Sequence, residues 1–333
     1  MQSMGLKNRR LTGDKIGGII MLKTAILSSW HVHAKEYTQQ LQARPDVNVT
    51  AIWDEDSERG QKFAKDLNLS FEPDLDKLLA SDIGAVCVNA PTNMHCEIMV
   101  KAANAGKHIF TEKVLALTKD DCLAVKAAVD SAKVKFCISF PHRCMPHNLF
   151  AKKVVDSGKL GKITLLRVRN AHSGASAGWL PPHFYDQKQC GGGAMIDLGA
   201  HPMYLIHWLM GMPEQVSSAF TSVTGCAVED NAVSLMKYSG GAIAVSETGF
   251  VSGHSPFMLE IYGTDGTLII NGRDVKLATG PEGFEDQKQL PDALPKPIEQ
   301  FVDGVLYNKE IVFGMDDAIS LTDMMVAAYK GVF

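Results

Sequence analysis

The stretch Thr24-Ala25-Ile26-Leu27-Ser28-Ser29-Trp30-His31-Val32-His33, with the helix-like run that follows it to about Ala43, decides the fold. A short run that stays apolar instead of alternating, then a polar turn, then a helical period is what a parallel strand covered on both faces and feeding a crossover helix requires. The unit repeats along the chain. Val47 to Trp53 reads as a second strand and Ser57 to Leu67 as a charged amphipathic helix. Ala85 to Val88 is a third strand, before a helix near His95 to Ala105. His108 to Phe110, a helix from about Lys119 to Ala132, and Val134 to Ser139 continue the alternation. Strands separated by helices imply right-handed crossovers, so the N-terminal part is expected to be α/β, a doubly wound parallel sheet of the Rossmann type.

After about Pro141 the texture changes. A helix from Asn148 to Ser157, a turn at Gly158 to Gly161 and a strand from Ile163 lead to Gly191-Gly192-Gly193, which opens a helical run to Met210. Val216 to Val223, Ala232 to Lys237, Ala242 to Phe250, Met258 to Tyr262 and Thr267 to Ile270 then follow closely, with hairpin signals at Gly240-Gly241 and Asp265-Gly266. Short turns between consecutive strands indicate a C-terminal α+β domain with a largely antiparallel open sheet. Helices near Pro297 to Tyr307 and Met315 to Tyr329 close the chain. We expect residues 21–141 to form the dinucleotide-binding domain and residues 142–333 a substrate-binding and oligomerisation domain. Residues 1–20 hold Lys7, Arg9, Arg10 and Lys15 ahead of a second methionine, Met21, and are expected to be a non-native or flexible arm.

With 333 residues, 46% of them hydrophobic, the chain has enough apolar surface for two cores. A net charge of -4 gives no electrostatic reason to expect nucleic acid or an anionic membrane as partner. No apolar stretch approaches the roughly 20 residues that span a bilayer. Seven cysteines without a CxxC pair fit reduced thiols and a cytoplasmic location better than a disulfide framework. The expected partner is a small molecule.

Ligands of a doubly wound sheet bind at the carboxyl ends of its strands, so the strand-end residues are the candidates. The first strand ends in Ser28, Ser29, Trp30, His31, Val32 and His33, and the second in Asp54, where a carboxylate can accept ribose hydroxyls. The third ends in Asn89-Ala90-Pro91-Thr92-Asn93-Met94-His95 and the next in Thr111-Glu112-Lys113. Asp54 would repel the 2′-phosphate of NADP(H), and Arg59 stands too far along to replace it simply, so NAD(H) is the expected cofactor.

The chain resembles the Gfo/Idh/MocA oxidoreductase family. The resemblance rests on Ala90 to His95, Gly106-Lys107-His108-Ile109-Phe110-Thr111-Glu112-Lys113, Arg143, Gly158-Lys159-Leu160-Gly161-Lys162-Ile163, and Gly191-Gly192-Gly193-Ala194-Met195-Ile196-Asp197-Leu198-Gly199-Ala200-His201. It implies an NAD-dependent oxidoreductase acting on a CH-OH group of a sugar, cyclitol or sugar derivative, assembled as a homodimer or homotetramer. It implies cofactor contacts from Ser28, Ser29, Trp30, His31, His33, Asp54, Asn89, Ala90, Pro91, Thr92, His95, Glu112, Lys113 and Arg143. Lys113, Asp197 and His201 match the family's catalytic lysine, aspartate and histidine. Alcohol oxidation needs a base for the hydroxyl proton and a donor that holds the oxygen. A lysine beside a cationic nicotinamide is expected to have a lowered pKa. Asp197 and His201, four apart, are expected to share a helix face, with Asp197 orienting the imidazole and Pro202 bending the helix nearby. Trp179, His183 and Tyr185 are further candidates for the sugar pocket, while His207 reads as a packed helix residue.

Two departures from the family pattern stand out. All three glycines of the phosphate-binding turn are replaced, by Ser28, Trp30 and His33. Val114 follows Lys113 where the family has proline, so a trans bond is expected there. His31 and His33 form an HxH of the kind amidohydrolase barrels use for metal, which makes a metal-dependent hydrolase a rival reading. His142, His172 and Asp197 match no metal spacing, however, so no metal site is assigned. A second alternative keeps the fold and uses NAD transiently, for glycoside cleavage or epimerisation.

Overall fold

In the computed structural model, which describes residues 15–16 and 19–333, a two-residue antiparallel pair, β1 (Lys15–Ile16) and β2 (Ile19–Ile20), precedes the first sheet. The rest of the expected N-terminal arm lies outside the described residues. The first domain then alternates β3 (Leu22–Leu27), α1 (Ala34–Gln42), β4 (Val47–Trp53), α2 (Ser57–Leu67), β5 (Ser70–Phe71), α3 (Leu75–Ala80), β6 (Ala85–Val88), α4 (His95–Asn104), β7 (His108–Thr111), α5 (Lys119–Ala132) and β8 (Phe136–Ile138). The six strands pair in the order β5-β4-β3-β6-β7-β8, all parallel, which is a Rossmann sheet. Ala25, Ile26 and Leu27 and the whole of β6 are buried, as strands covered on both faces must be.

Local chemistry sets several boundaries. The Asp56 carboxylate caps α2 by accepting from the backbone N–H groups of Glu58 and Arg59, and the helix ends where Asn68 turns left-handed. Asp74 caps α3 and Thr118 caps α5 in the same way. β5 and α3 escaped the sequence reading because two and six residues carry too little periodicity.

The second domain contains α6 (Pro146–Asp156), β9 (Ile163–Ala171), α7 (Gln187–Cys190), α8 (Ala200–Met210), β10 (Gln215–Thr221), β11 (Asn231–Lys237), β12 (Ile243–Gly249), β13 (Met258–Gly263), β14 (Thr267–Asn271), β15 (Asp274–Ala278), β16 (Glu285–Asp286), α9 (Pro297–Tyr307) and α10 (Met315–Lys330). Its eight strands run β10-β11-β12-β9-β13-β14-β15-β16 and are antiparallel except for β12 beside β9. α8 packs on β9 and β12, while α9 returns to β7 and β8 of the first sheet. All seven cysteines are free thiols.

The glycine run does not open a helix. α8 begins only at Ala200, and residues 191–199 form turns. Pro202 therefore sits in the first turn, where a missing N–H is tolerated, and the expected bend there has no cause. The run is needed for close approach: a β-carbon at Gly193 would stand 2.0 Å from the backbone carbonyl oxygen of Glu229. Gly193→Ala should therefore lower stability by roughly 1–3 kcal/mol. Gly240→Ala, with nothing within 4 Å of the added carbon, should change stability little. Denaturant unfolding of both variants checks this, and equal midpoints would contradict it.

Candidate active site

The carboxyl edge of the first sheet faces the second domain, and Lys113 joins the two. It ends the β7 segment, and its ammonium donates to the Asp197 carboxylate at 2.5 Å and to the Asp197 carbonyl oxygen at 3.1 Å. The lysine is buried and the aspartate partly exposed. Burial pulls the amine's pKa down, but the charges of Asp197 and Glu112 outweigh it and hold Lys113 above the ordinary lysine value. The lowered value expected beside a nicotinamide is not what this arrangement produces, because Asp197 supplies the counter-charge.

Asp197 precedes α8, so it does not share a helix face with His201 and does not orient it. The His201 ring is instead held by Tyr204, whose hydroxyl lies 2.9 Å from Nδ1, and it lies tilted against the His142 ring at 4.6 Å. Burial, then His142 and Lys113, place its pKa well below the ordinary histidine value, so the ring is neutral at pH 7. Lys113 and Asp197 line one cavity together with Trp30, His31, Thr92 and Phe184, whereas His201 is not part of that lining.

The turn after β3 keeps one feature of a phosphate-binding loop. Ser28 has φ 72°, the left-handed conformation usually left to glycine. Most other features have changed hands. Trp30 does not swing outward: it is buried, stacks on Phe184 at 5.1 Å, lies tilted against His183 at 4.7 Å, and donates from Nε1 to Gln189 at 2.8 Å. The backbone N–H groups of Trp30, His31 and His33 donate to Ser28 Oγ, the Asn89 carbonyl and His31 Nδ1. Asp54 is buried and accepts from Ser29 N at 2.8 Å, from Ser29 Oγ at 2.7 Å and from Arg59 Nη2 at 2.5 Å. Arg59, expected to stand too far along to replace Asp54 simply, pairs with it because the first turn of α2 folds it back.

Several other candidates serve the fold. Arg143 pairs with Asp317 of α10 at 2.5 Å and lies over the rings of Trp208 and Phe313, away from the cofactor edge. The turn that follows Phe140 aims it there. The His95 ring sits between the carbonyl oxygens of Val114 at 2.9 Å and Ala90 at 3.0 Å, which ties the segments Ala90–Pro91 and Lys113–Val114 together. The Lys113–Val114 bond is cis, against expectation, with the Val114 side chain buried and its carbonyl held by His95. Trp179 is 56% exposed and rests on His172, while Tyr185 packs around Phe184.

Glu112 anchors the remaining residues. Its carboxylate accepts from Tyr37 and pairs with His33 Nδ1 at 2.8 Å, and His31 Nδ1 lies 3.7 Å away. Burial would raise Glu112, but His31, His33 and Lys113 hold it well below the usual carboxylate range. Burial also sets His31, pushed down to about 3. The sequence reading passed over Phe184, Gln189, Tyr37 and Tyr204, whose roles depend on contacts across the cleft or between layers.

The cleft is narrow. The cavity at Lys113 holds about 20 Å³, against several hundred for an ordinary ligand site, so a dinucleotide needs Trp30 and Phe184 to part. The left-handed turn, the start of α1 and the sheet edge still offer a seat for one.

Comparison with known proteins agrees with this architecture. Residues 30–140 match the oxidoreductase family model described as an NAD-binding Rossmann fold, and residues 149–269 match the GFO/IDH/MocA C-terminal domain. An inositol 2-dehydrogenase from Rhizobium meliloti is 25% identical over 76% of this chain and 79% of its own. A 2,7-anhydro-N-acetylneuraminate hydratase from Mediterraneibacter gnavus is 30% identical over 69% of this chain and 63% of its own. The solved levoglucosan dehydrogenase complex with NADH and levoglucosan superposes with a TM-score of 0.81, covering 93% of this chain and 96% of that one at 20% identity, a likeness of fold. The chain belongs to the Gfo/Idh/MocA oxidoreductase family, and its N-terminal domain is that family's NAD-binding Rossmann fold.

Proposed function

We propose that this protein oxidises or reduces a carbinol carbon of a sugar or cyclitol, with Lys113, Asp197 and His201 around the reacting group. The observation that carries the reading is the Lys113–Asp197 contact, which joins the two domains at the carboxyl edge of the Rossmann sheet. Residues 21–141 would hold the cofactor and residues 142–333 the substrate. When bound, the nicotinamide would supply the hydride acceptor or donor. The Ser28–His33 turn, Asn89 to Thr92 and Glu112-Lys113 are the residues in place to hold the dinucleotide.

The charge states assign the other roles. A protonated Lys113 donates a hydrogen bond to the substrate oxygen and steadies the charge that develops on it, with Asp197 as counter-ion. His201, neutral and fixed by Tyr204, takes the hydroxyl proton on Nε2 when Nδ1–H is donated to the tyrosine. In the reducing direction the same groups return the proton. A screen of sugars, cyclitols and their glycosides with NAD, read by NADH absorbance, tests the reading; turnover of none of them would count against it. The hydratase among the relatives favours one second reading, transient oxidation without net NADH, which product analysis separates from a dehydrogenase.

The pH profile offers a further test. Because the His201 pKa is lowered, its neutral, proton-accepting form persists as pH falls through 6.5. The acid limb of kcat/KM should therefore lie well below pH 6.5, and an inflection at or above 6.5 that disappears in His201→Ala would contradict the assignment.

We also propose a homodimer or homotetramer built on the outer face of the large sheet, where Val233, Leu235 and Ile243 are exposed. Light scattering after size exclusion reads the assembly, and a monomer would refute it. A cytoplasmic location is part of the same reading; no helix among the described residues is long and apolar enough to cross a membrane.

A further inference from the structure

Two carboxylates, Asp54 and Glu55, follow β4 at the carboxyl edge of the Rossmann sheet, and only the second has capacity left for a ligand. Asp54 is fully engaged by the protein itself. Its Oδ2 accepts from Ser29 N at 2.8 Å, Ser29 Oγ at 2.7 Å and Arg59 Nε at 3.2 Å. Its Oδ1 accepts from Asp56 N at 2.9 Å and Arg59 Nη2 at 2.5 Å. A carboxylate offers about four lone-pair sites, so these donors leave none for a ribose hydroxyl. The side chain is 0% exposed, and the Arg59 guanidinium balances its charge. Close packing fixes the arrangement: a β-carbon at Gly60 would stand 2.6 Å from Asp54 Cβ, so the first turn of α2 lies directly against the aspartate.

Glu55 is the opposite case. Its side chain keeps 20% exposure, pairs with Arg59, and has the Ser28 hydroxyl of the turn after β3 beside it. Two donors leave lone pairs free. Burial holds its pKa above the ordinary carboxylate value, so further hydroxyl donors would stabilise the charge. Arg59 spends Nε and Nη2 on Asp54, Glu55 and Ser28, while its Nη1 has no partner among the described residues. We propose that Glu55, in place of Asp54, accepts the adenosine ribose hydroxyls of NAD(H) and excludes a 2′-phosphate, and that its charge masks the Arg59 cation beside it. A ribose hydroxyl donates to a carboxylate, whereas the phosphate of NADP(H) is repelled by one. With the Glu55 charge removed, the same guanidinium becomes a phosphate partner.

The inference rests on the NAD-binding fold and not on the substrate or the reaction, so binding alone tests it. The full chain is titrated with NADH and with NADPH, followed by nucleotide fluorescence, and the parent should favour NADH. Glu55→Gln should weaken NADH binding by roughly 10- to 100-fold, the loss of hydrogen bonds to a charged group. It should tighten NADPH binding by about 10-fold, as the guanidinium is unmasked. That gain should shrink as salt rises and vanish in the double variant Glu55→Gln/Arg59→Gln. Glu55→Ser, which removes the same charge, should shift the preference in the same direction, and circular dichroism and melting curves check both folds. Binding of neither nucleotide by the parent, a parent preference for NADPH, or an unchanged preference in a folded Glu55 variant would overturn the proposal.

Discussion

Lys113→Met should lower turnover on the true substrate by roughly 10²–10⁴, the usual range for a lost acid–base or oxyanion-holding group. The ammonium is the cation that touches Asp197 in the cleft, so its removal takes away both the donor to the substrate oxygen and the counter-charge of the aspartate. Asp197 is partly exposed and keeps access to water, so the fold should survive and the loss should fall on kcat and not on stability. His201→Ala should cost a similar factor. Because the two groups act on one proton and one oxygen, the double variant should lose less than the product of the single losses. Steady-state kinetics of the three variants, with melting curves as fold controls, read this out. Near-normal turnover in both single variants would remove the pair from the mechanism.

Trp30→Gly, which restores the second glycine of the family's turn, should tighten NADH binding by roughly 10- to 70-fold. In the closed cleft the indole stacks on Phe184 and donates to Gln189. An aromatic pair contributes about 0.5–1.5 kcal/mol and a net hydrogen bond about 1 kcal/mol, so about 1.5–2.5 kcal/mol holds the cleft shut through this residue. A ligand that binds only the open form gains that free energy as affinity once the contact is gone, which gives the stated factor. The flexibility of a glycine at the turn offsets part of it. Fluorescence titration with NADH measures the change. Unchanged or weaker binding would show that Trp30 supports the bound dinucleotide instead of excluding it.

The sequence reading succeeded where a signal repeats. β6 and the ends of β3, β4 and β7 are apolar runs buried on both faces, and hairpins of the second sheet turn at Gly240-Gly241 and Asp265-Gly266, so the two-domain plan was legible from pattern alone. Lys113 and Asp197 were expected near one another from the motifs that carry them, and the structure brings them into contact.

What was missed depends on contacts distant in sequence. Nothing in the local sequence says that Arg59 bends back onto Asp54, that Arg143 is claimed by Asp317, or that Trp30 finds Gln189 across the cleft. The expected Asp197–His201 pair failed for a local reason: four-residue spacing places two side chains together only inside a helix, and α8 starts three residues after Asp197. The grouping of Glu112 with His31 and His33 required the parallel arrangement of β3, β6 and β7, which puts the ends of β3 and β7 on the same edge of the sheet, either side of β6. An HxH alone did not reveal its third member.

The central claim is that a hydride leaves a substrate carbon in the cleft where Lys113 meets Asp197. The most direct measurement follows that hydrogen. A sugar or cyclitol that turns over in the screen is prepared with deuterium at its carbinol carbons and incubated with the enzyme and NAD, and the nucleotide is analysed by mass spectrometry. The account expects deuterium on the reduced nicotinamide, formed by the parent enzyme and strongly reduced in Lys113→Met. Product formed at the same rate without NAD, or with no deuterium ever reaching the nucleotide, would contradict it.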